Sequence, residues 1–309
     1  MRKFPSWLWL LPLGFLILFF FYPLVAIFSL AVQNTSQSWQ LLPWPRIGLI
    51  FGFTLFQAAL STLLTILISL PIAYFFGTYA FAGKKFLHLL VTLPFILPTV
   101  VVAVAFNSII GLRGLLNLLL MQILQLSQPP IHVMNTLVAI LLAHVFYNSA
   151  VIIRVVGSAI EQMDPHLEQV SRVLGASAWK NFWKVTFPIV RPTLASAALV
   201  VFLFDFTSFG VVLMMGGPQL VTLEVEIYFQ TMQMLNLPLA AWLSVIQLIC
   251  TLILTTLVLV TGGGLPVPIK PSSNQSLLKP LRTRREWTFY GLILIFILLL
   301  FLLPLISLI

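Results

Sequence analysis

Ionisable and polar side chains inside otherwise apolar stretches are the residues of this sequence that could do chemistry in a membrane. Asp205 lies within VFLFDFTSFG, where a carboxylate is costly and usually faces a cavity or a partner. Two roles fit it: a residue of a transport pathway or gate, or a carboxyl group that holds helices together by hydrogen bonds. His144 and Asn148 are four residues apart on one helix face and are candidate pathway residues too. Interhelical hydrogen bonding is the commoner explanation for such a pair.

Chemistry of other kinds is not indicated. The four histidines are scattered without metal-ligand spacing, the single cysteine excludes an internal disulfide, and no nucleophile–base pair or carboxylate dyad stands out. The stretch GTYAFAGKK (Gly77–Lys85) has five residues between its glycines where a phosphate-binding loop has four, and Lys85 where Ser or Thr would bind Mg²⁺. We therefore expect no enzyme activity, metal site or cofactor in this chain.

The composition indicates which elements must position these residues. Of the 309 residues, 60% are hydrophobic and 7% are charged, and the mean hydropathy is +1.09. A soluble domain of this composition would have an apolar, insoluble surface, whereas runs of about 18 or more apolar residues can each cross a bilayer. The sequence predicts an all-α, polytopic transmembrane helical bundle with seven spans, at about 7–32, 54–76, 86–111, 133–156, 188–215, 239–262 and 287–309.

Lysine and arginine residues predict the orientation of these spans. If the N-terminus is cytoplasmic, all but two of the 16 basic residues fall in cytoplasmic segments, and Arg46 and Arg113 lie outside. The same bias accounts for the formal net charge of +9, so no nucleic-acid partner is needed to explain it. We predict a multi-pass protein in the lipid bilayer of the plasma (inner) membrane, with a cytoplasmic N-terminus.

The cytoplasmic segment 164–188, between the fourth and fifth predicted spans, differs from its apolar surroundings. It starts with an Asp-Pro pair typical of a helix start, Gly175 can end that helix in the left-handed conformation, and Ser177 can cap a second helix before Pro188 opens the fifth span. We name this helix–glycine–helix segment the elbow. A pair of interfacial helices lying in the headgroups is the alternative interpretation. The apolar faces of the elbow comprise Leu167, Val170 and Leu174 in the first helix, and Trp179 and Phe182 in the second.

The elbow resembles the cytoplasmic EAA loop of binding-protein-dependent ABC importer permeases, the transmembrane subunits of type I importers. That pattern has a glycine, nine residues and then Ile-x-Leu-Pro; here nine residues and VTFP (Val185–Pro188) follow Gly175. Gln169-Val170-Ser171 stands in place of Glu-Ala-Ala, with Glu168 one residue earlier. The resemblance implies docking on a separate ATPase dimer, which binds ATP and Mg²⁺, through Glu168, Gln169, Ser171, Gly175, Ala176, Ser177 and Pro188.

Two further stretches extend the resemblance over most of residues 50–262. ILLAHVFYNSAVIIRVVGSAIEQMDP (140–165) and FTSFGVVLMMGGPQLVTLEVEIY (206–228) resemble the ferric-iron and thiamine branch of these permeases. The resemblance implies a permease subunit that receives ferric iron or thiamine, with iron slightly preferred, from an extracytoplasmic substrate-binding protein. A permease for another small solute, such as sulfate or polyamine, is the alternative within the family. A secondary transporter without an ATPase and a purely structural membrane anchor are the alternatives outside it.

A turn at Gly216-Gly217-Pro218 follows the fifth predicted span on the outer side. Glu224 and Glu226 alternate beyond this turn, and we consider them candidate contacts for the binding protein. Solvated surface charges are the alternative interpretation of both residues.

An internal repeat connects the first and last spans. FFYPLVAI (Phe20–Ile27) and FLLPLISL (Phe301–Leu308) align at a constant offset of 281, and a linker rich in Gly, Pro, Ser and basic residues precedes the second copy. Permeases of the ferric-iron and thiamine branch are often fused pairs of six-helix halves. We therefore expect the first half of a fused permease, the alternative being a true seven-span protein. The expected parts are an N-terminal helix with its outer segment (1–53), a permease core (54–262) containing the elbow, a cytoplasmic linker (263–286) and the first helix of a truncated second half (287–309).

Overall fold

The computed structural model of the chain describes residues 10–32, 43–261 and 278–308. Seven helices in these ranges are long and apolar enough to cross a membrane, which confirms the predicted number of spans and the all-α, polytopic fold. We number them first to seventh: Leu10–Val32, Trp44–Thr78, Thr99–Leu124, Leu137–Glu161, Ala178–Phe206, Leu237–Val260 and Arg284–Ile306.

Several spans consist of more than one helical segment. π-helical turns, in which an N–H bonds to the carbonyl five residues before it, interrupt the first, fifth and seventh spans. Two short strands, β1 (Tyr79–Ala80) and β2 (Lys279–Pro280), pair in parallel. The helical segments in chain order are Leu10–Leu16, Ile17–Phe21 (π), Tyr22–Val32, Trp44–Thr78, Lys84–Thr92, Leu93–Ile96 (3₁₀), Thr99–Ile110, Leu115–Leu124, Leu137–Glu161, Pro165–Val173, Ala178–Asn181, Phe182–Thr186 (π), Phe187–Phe206, Gly210–Met215, Leu223–Tyr228, Phe229–Gln233 (π), Leu237–Thr261, Arg284–Ile297, Leu298–Leu302 (π) and Leu303–Ile306.

The third span begins later than the predicted 86–111. The helix Lys84–Thr92 gives way to a single 3₁₀ turn and an extended residue before the helix resumes at Thr99. Pro94 and Pro98 explain the break, because a proline lacks the N–H that a helix interior needs and disfavours the helical conformation of the residue before it. The predicted single span is therefore divided into two helices.

The fifth span begins earlier than predicted. The sequence predicts that Pro188 opens this span, but the helix runs from Ala178 without a break. The π-helical turn Phe182–Thr186 places Pro188 in the first turn of the segment that follows, where a missing N–H is tolerated. The second helix of the elbow and the fifth span are therefore one continuous helix.

The same span ends at Phe206 rather than near residue 215. Residues 207–209 are not helical, and a separate short helix, Gly210–Met215, follows. At Gly210 the backbone lies against the third span, since a Cβ atom there would be 2.3 Å from Thr99 Oγ1. The chain then enters the predicted turn, where Gly217 has a left-handed φ of 70°.

The chain divides into two compact units. The first consists of the described residues up to Phe53 together with Val221–Ile253, and the second consists of Thr54–Leu220 and the described residues from Leu254 onward. In the first unit, Ala31 of the first span packs with two residues of the sixth, Ala241 and Val245. Small residues at this contact allow the two helices to lie close together.

The core of the second unit lies between the second, fourth and fifth spans. Gly77 marks a close approach of the second and fourth spans, since a Cβ atom there would be 2.6 Å from both the Gly157 carbonyl oxygen and Ile160 Cβ. This contact determines where the fourth span leaves the core toward the elbow. The buried residues of the core are Ala73, Ile152, Val156, Ile160, Val190, Leu194, Ala197 and Val201.

The start of the seventh span is attached to the second unit. Strand β2 pairs with β1, with Tyr79 opposite Lys279. The ring of Phe75 stacks on that of Tyr290 with centroids 5.9 Å apart, and the Tyr290 hydroxyl donates to the Ala82 carbonyl (3.4 Å). The chain thus enters this span along the end of the second span.

The repeat between the first and seventh spans also appears in the backbone. The π-helical turns Ile17–Phe21 and Leu298–Leu302 occur at the same offset as the sequence repeat, and each is followed by a proline two residues later. Their surroundings differ, since Phe301 is buried and Phe20 is exposed. The fifth span has the same arrangement, with a π-helical turn that ends two residues before Pro188, so this feature is not specific to the repeat. The repeat and the fusion of two halves both stay predictions.

Replacing Gly77 by valine tests the contact between the second and fourth spans. A side chain at this position would meet the Gly157 carbonyl and Ile160, and such overpacking should lower stability by about 1–3 kcal/mol. Thermal unfolding in detergent measures the effect. Gly52→Val is the matched control, because Gly52 lies in the same helix with nothing within 4 Å of a Cβ atom. Equal melting temperatures for the two variants would contradict the close packing.

Candidate functional site

The elbow forms two short helices that meet at a glycine. Asp164 caps the first helix, since its carboxylate accepts from the His166 N–H (2.9 Å). Gly175 has a φ of 79°, and no atom lies within 4 Å of its Cβ position. Glycine is therefore favoured there by the left-handed backbone conformation and not by a shortage of space. Ser177 caps the second helix by accepting from the Lys180 N–H (3.3 Å). The start, the reversal and the second cap predicted from the sequence are all present.

Apolar side chains on one side of the elbow are open to the surroundings. Val173 is 88% exposed, Leu174 81% and Trp179 71%, although such residues are usually buried in a folded chain. Apolar residues exposed in this way face either a partner protein or the lipid headgroups. Phe182, three residues after Trp179, is half-buried and packs edge-on against Tyr74 of the second span, with ring centroids 5.2 Å apart. One side of the elbow therefore contacts the chain's own helix ends, and the other is left open.

The polar residues expected to contact an ATPase differ in accessibility. Gln169 is exposed, whereas Ser171 and Ala176 are half-buried and joined by a bond from the Ala176 N–H to the Ser171 carbonyl (3.0 Å). Glu168 is half-buried and forms an ion pair with Lys279. Gln169 is therefore better placed than Glu168 to meet a partner.

Asp205, His144 and Asn148 meet in one buried, hydrogen-bonded cluster of the second unit. Asp205 is 0% exposed. Asn148 Nδ2 donates to its Oδ1 (2.7 Å), Thr62 Oγ1 donates to its Oδ2 (3.3 Å), and His144 Nδ1 lies 3.4 Å from Oδ1. The three candidate pathway residues are therefore in contact, and they connect the fourth and fifth spans to Thr62 of the second.

The second span contributes further residues to this cluster that were not expected from the sequence. Gln57 Nε2 donates to the backbone carbonyl of Asp205 (2.8 Å), and Ser61 Oγ lies 2.9 Å from His144 Nδ1. Ser208 Oγ lies 2.8 Å from the other ring nitrogen, Nε2. A signal for them exists in the sequence as polar residues at helical spacing, all of them buried: Thr54, Gln57, Ser61, Thr65 and Ser69.

Ser208, His144 and Asp205 are connected in the order of a nucleophile, its base and a carboxylate. His144 and Asp205 are buried between apolar spans, however, where side-chain hydrogen bonds join helices. Within the single chain, these contacts join the second, fourth and fifth spans, which fits the structural role. The pathway role of these residues stays a prediction.

The two candidate outer contacts also differ in accessibility. Glu226 is 2% exposed, and its carboxylate accepts from Arg46 Nη2 (2.9 Å) and Gln230 Nε2 (2.7 Å). Glu224 is half-buried and accepts from Gln247 Nε2 (3.3 Å). Burial raises the pKa of Glu224 to about 7. A partner would meet Glu224 before Glu226, and this contact too stays a prediction.

In residues 10–32, 43–261 and 278–308, no group of three or more His, Cys, Asp or Glu side chains is placed to hold a metal ion. His132 and His166 are exposed. His88 packs edge-on against Phe76, with ring centroids 4.5 Å apart, and burial lowers the pKa of His88 to about 4. His88 is therefore a neutral packing residue near pH 7.

Comparisons with known proteins find similarity to membrane components of transport systems. Residues 69–263 match the family described as the binding-protein-dependent transport system inner membrane component. The chain is 31% identical over 246 residues to the thiamine transport system permease protein ThiP of Haemophilus influenzae. It is 28% identical over 204 residues to the sulfate transport system permease protein CysT of Escherichia coli.

The matches cover different shares of these proteins. The match to ThiP covers 79% of this chain and 45% of ThiP, so the chain spans less than half the length of this thiamine relative. The match to CysT covers 66% of this chain and 72% of CysT. A solved bacterial ABC transporter involved in the import of alginate has the same fold, with a TM-score of 0.66 at 17% identity over 83% of this chain and 93% of the solved chain.

Substitution of Asp205 separates its two candidate roles. Asp205→Ala leaves the buried Asn148 amide without this acceptor, which should lower stability by about 1–3 kcal/mol, whereas the Thr62 hydroxyl keeps its bond to the Ala58 carbonyl (2.8 Å). Asp205→Asn keeps the volume and one acceptor oxygen, so it should fold and assemble, and it should lower the transport rate if the residue lines the pathway. Thermal unfolding in detergent and uptake into proteoliposomes are the two measurements.

Ser196→Ala is the control in the same span, because the Ser196 hydroxyl donates to its own helix at the Pro192 carbonyl (3.0 Å). It should change the melting temperature much less than Asp205→Ala. Equal losses of melting temperature in the two alanine variants would argue against a structural role of the Asp205 hydrogen bonds. Normal transport by Asp205→Asn would argue against the pathway role.

The raised pKa of Glu224 predicts that the stability of the folded chain depends on pH. Its pKa rises from an ordinary value of 4.5 to about 7 on folding, so the folded chain binds this proton more tightly than the unfolded chain. The corresponding stabilisation is complete below the unfolded pKa and is lost as the pH rises through about 7. Glu224→Gln should therefore reduce the fall in melting temperature between about pH 5 and about pH 8. Identical pH profiles of the parent and the variant would rule this out.

Proposed function

The chain belongs to the family of binding-protein-dependent transport system inner membrane components, and we propose that it is a permease unit of an ATP-driven ABC importer. In this proposal its spans provide the substrate pathway, and an extracytoplasmic binding protein delivers the substrate. A separate ATPase dimer docks on the elbow from the cytoplasm and binds the ATP and Mg²⁺. The chain itself is then neither an enzyme nor a cofactor carrier.

The open apolar side of the elbow is the observation that carries this proposal. Val173, Leu174 and Trp179 would be unfavourable in water by about 25 cal/mol per Å² of apolar area, and a partner that covers them recovers this free energy. The elbow directly connects the fourth span to the fifth. A displacement of the elbow by a closing ATPase dimer therefore reaches both spans.

A second permease unit, fused or separate, is part of the proposal. In the first span, 6% of the most apolar stretch is buried. The seventh span has the same π-helical turn, and there Phe301 packs on Phe146 with ring centroids 5.8 Å apart. The first span would find an equivalent surface on a second core of this fold.

Thiamine is the substrate that the relatives favour, because ThiP matches a larger share of this chain, at higher identity, than CysT does. Sulfate is the second candidate, from the similarity to CysT. Ferric iron, which two sequence stretches suggested, stays a prediction without support from these relatives, as does polyamine.

Purification of the tagged chain from its own host, together with the subunits that accompany it, tests the function as a whole. We expect a co-purifying ATPase whose activity in proteoliposomes rises with the binding protein and thiamine but not with sulfate. Stimulation of the ATPase by sulfate instead of thiamine would identify sulfate as the substrate and leave the importer assignment unchanged. Transport driven by an ion gradient, with no ATPase present, would instead identify a secondary transporter.

Gly175→Val should uncouple transport from ATP hydrolysis. A β-branched residue at a φ of 79° strains the backbone by about 1–2 kcal/mol, which shifts the reversal between the two elbow helices. We expect normal insertion and continued ATP hydrolysis but no uptake, with a smaller loss for Gly175→Ala. Gly83→Val is the matched control, because Gly83 has a φ of 82° and equally open surroundings outside the elbow.

Cross-linking locates the docking surface in the same experiment. Cysteine substitutions Ala176→Cys and Ser177→Cys, in a Cys250→Ala background, should cross-link to the ATPase with a yield that changes with ATP. Labelling by lipid-soluble probes alone, combined with normal uptake by Gly175→Val, would show that the elbow is a pair of interfacial helices.

A further inference from the structure

The segment that leads into the seventh span also contacts the elbow, and we propose that Lys279 is a positioning residue for the first elbow helix. This inference deepens the proposed function and rests on it in one respect, since its consequence for transport requires an ATPase docked on the elbow. The restraint of the elbow by Lys279 through Glu168 depends on contacts within this chain alone.

Residues 278–280 are themselves attached to the second unit. Strand β2 pairs with β1, which directly follows the second span. A capping box at Thr283 starts the seventh span a few residues later, and Tyr290 donates to the Ala82 carbonyl (3.4 Å). Lys279 therefore extends from backbone that is held on both sides.

The Lys279 ammonium forms an ion pair with the Glu168 carboxylate of the first elbow helix. Its Nζ is shielded from solvent, and the two side chains are 30% and 20% exposed, respectively. Salt screens a shielded pair less than a pair on an open surface. Glu168 and the half-buried Ser171 share one side of the helix, and the exposed Val173 lies on the opposite side. The pair thus holds the side of the helix that faces away from the proposed ATPase.

A cavity lies beneath this helix, at the inner ends of the second and fourth spans. Glu168 and Lys279, the two partners of the ion pair, both line this space. The first elbow helix therefore cannot move away from the span ends without separating the pair or carrying β2 with it. The residues that line the cavity include Tyr74, Thr78, Met163, Glu168, Thr186 and Lys279.

This restraint decides how a push on the elbow is transmitted. A docked ATPase displaces the open side of the elbow, and a restrained first helix passes the displacement to its surroundings, whereas a loose helix yields. Because Lys279 belongs to the segment before the seventh span, the displacement reaches that span as well as the fourth and fifth. Lys279 thus adds the seventh span to the helices that move with the elbow.

A second ion pair in the same region offers an internal control. Lys84 Nζ lies 3.5 Å from Glu161 Oε2, and this pair joins the start of the helix Lys84–Thr92 to the end of the fourth span. Neither residue belongs to the elbow. Loss of Lys84 should loosen these helix ends without freeing the first elbow helix.

Motion of the elbow can be measured without an ATPase. A nitroxide on Gln169→Cys, in the Cys250→Ala chain reconstituted in lipid nanodiscs, reports mobility by electron paramagnetic resonance. Lys279→Gln should raise the mobile fraction roughly two- to five-fold, whereas Lys279→Arg and Lys84→Gln should leave it near that of the parent. The reversed pair, Lys279→Glu with Glu168→Lys, should restore the restrained spectrum. An unchanged spectrum in Lys279→Gln overturns the proposal.

Coupling in the complete transporter separates this inference from the proposed function. Lys279→Gln should lower the substrate moved per ATP hydrolysed by roughly two- to five-fold while hydrolysis continues, and the reversed pair should restore it. If the parent chain binds no ATPase, the importer assignment is wrong. A mobile elbow in Lys279→Gln would still support the ion pair as a restraint in that case. Equal coupling in the parent and in Lys279→Gln would overturn the role of Lys279 in transport.

Discussion

A carboxyl group buried among membrane spans must have its polar atoms satisfied within the protein, and Asp205 imposes this condition on the second unit. Asn148 of the fourth span and Thr62 of the second provide the hydrogen bonds. These hydrogen bonds fix the positions of the second, fourth and fifth spans relative to one another at this cluster. The elbow joins the fourth span to the fifth, so the positions of both its ends follow from the same cluster and from the close contact at Gly77.

The breaks in the helices determine how the two halves of the elbow can move. At Gly175 the left-handed conformation ends the first helix completely, whereas Pro188 causes no break because a π-helical turn precedes it. The second elbow helix and the fifth span are therefore one continuous helix. The first elbow helix is separated from the fourth span by residues 162–164 and is held by the cap at Asp164 and by side-chain contacts. One half of the elbow is thus part of a span, and the other is tethered to its surroundings.

Features that depend on neighbouring residues could be predicted from the sequence. The seven spans follow from apolar length, and the caps at Asp164 and Ser177 and the reversal at Gly175 each depend on residues within one turn. Features that depend on tertiary contacts could not. Thr62 is 143 residues from Asp205, and no spacing rule pairs residues at such a distance.

The first and seventh spans show that the burial of a helix depends on its surroundings as well as on its sequence. Both carry a π-helical turn before a proline, and such turns are rare because they disturb the regular hydrogen bonds of a helix. In the seventh span this irregular surface is matched by the second unit, where Phe301 packs on Phe146 and the Ser307 hydroxyl donates to the Ala105 carbonyl (3.2 Å). The proline two residues after each π-helical turn is a local cause of the turn, because its ring opposes the regular hydrogen bond to the carbonyl four residues earlier. The different burial of Phe20 and Phe301 therefore reflects the neighbours of the two spans and not the turn itself.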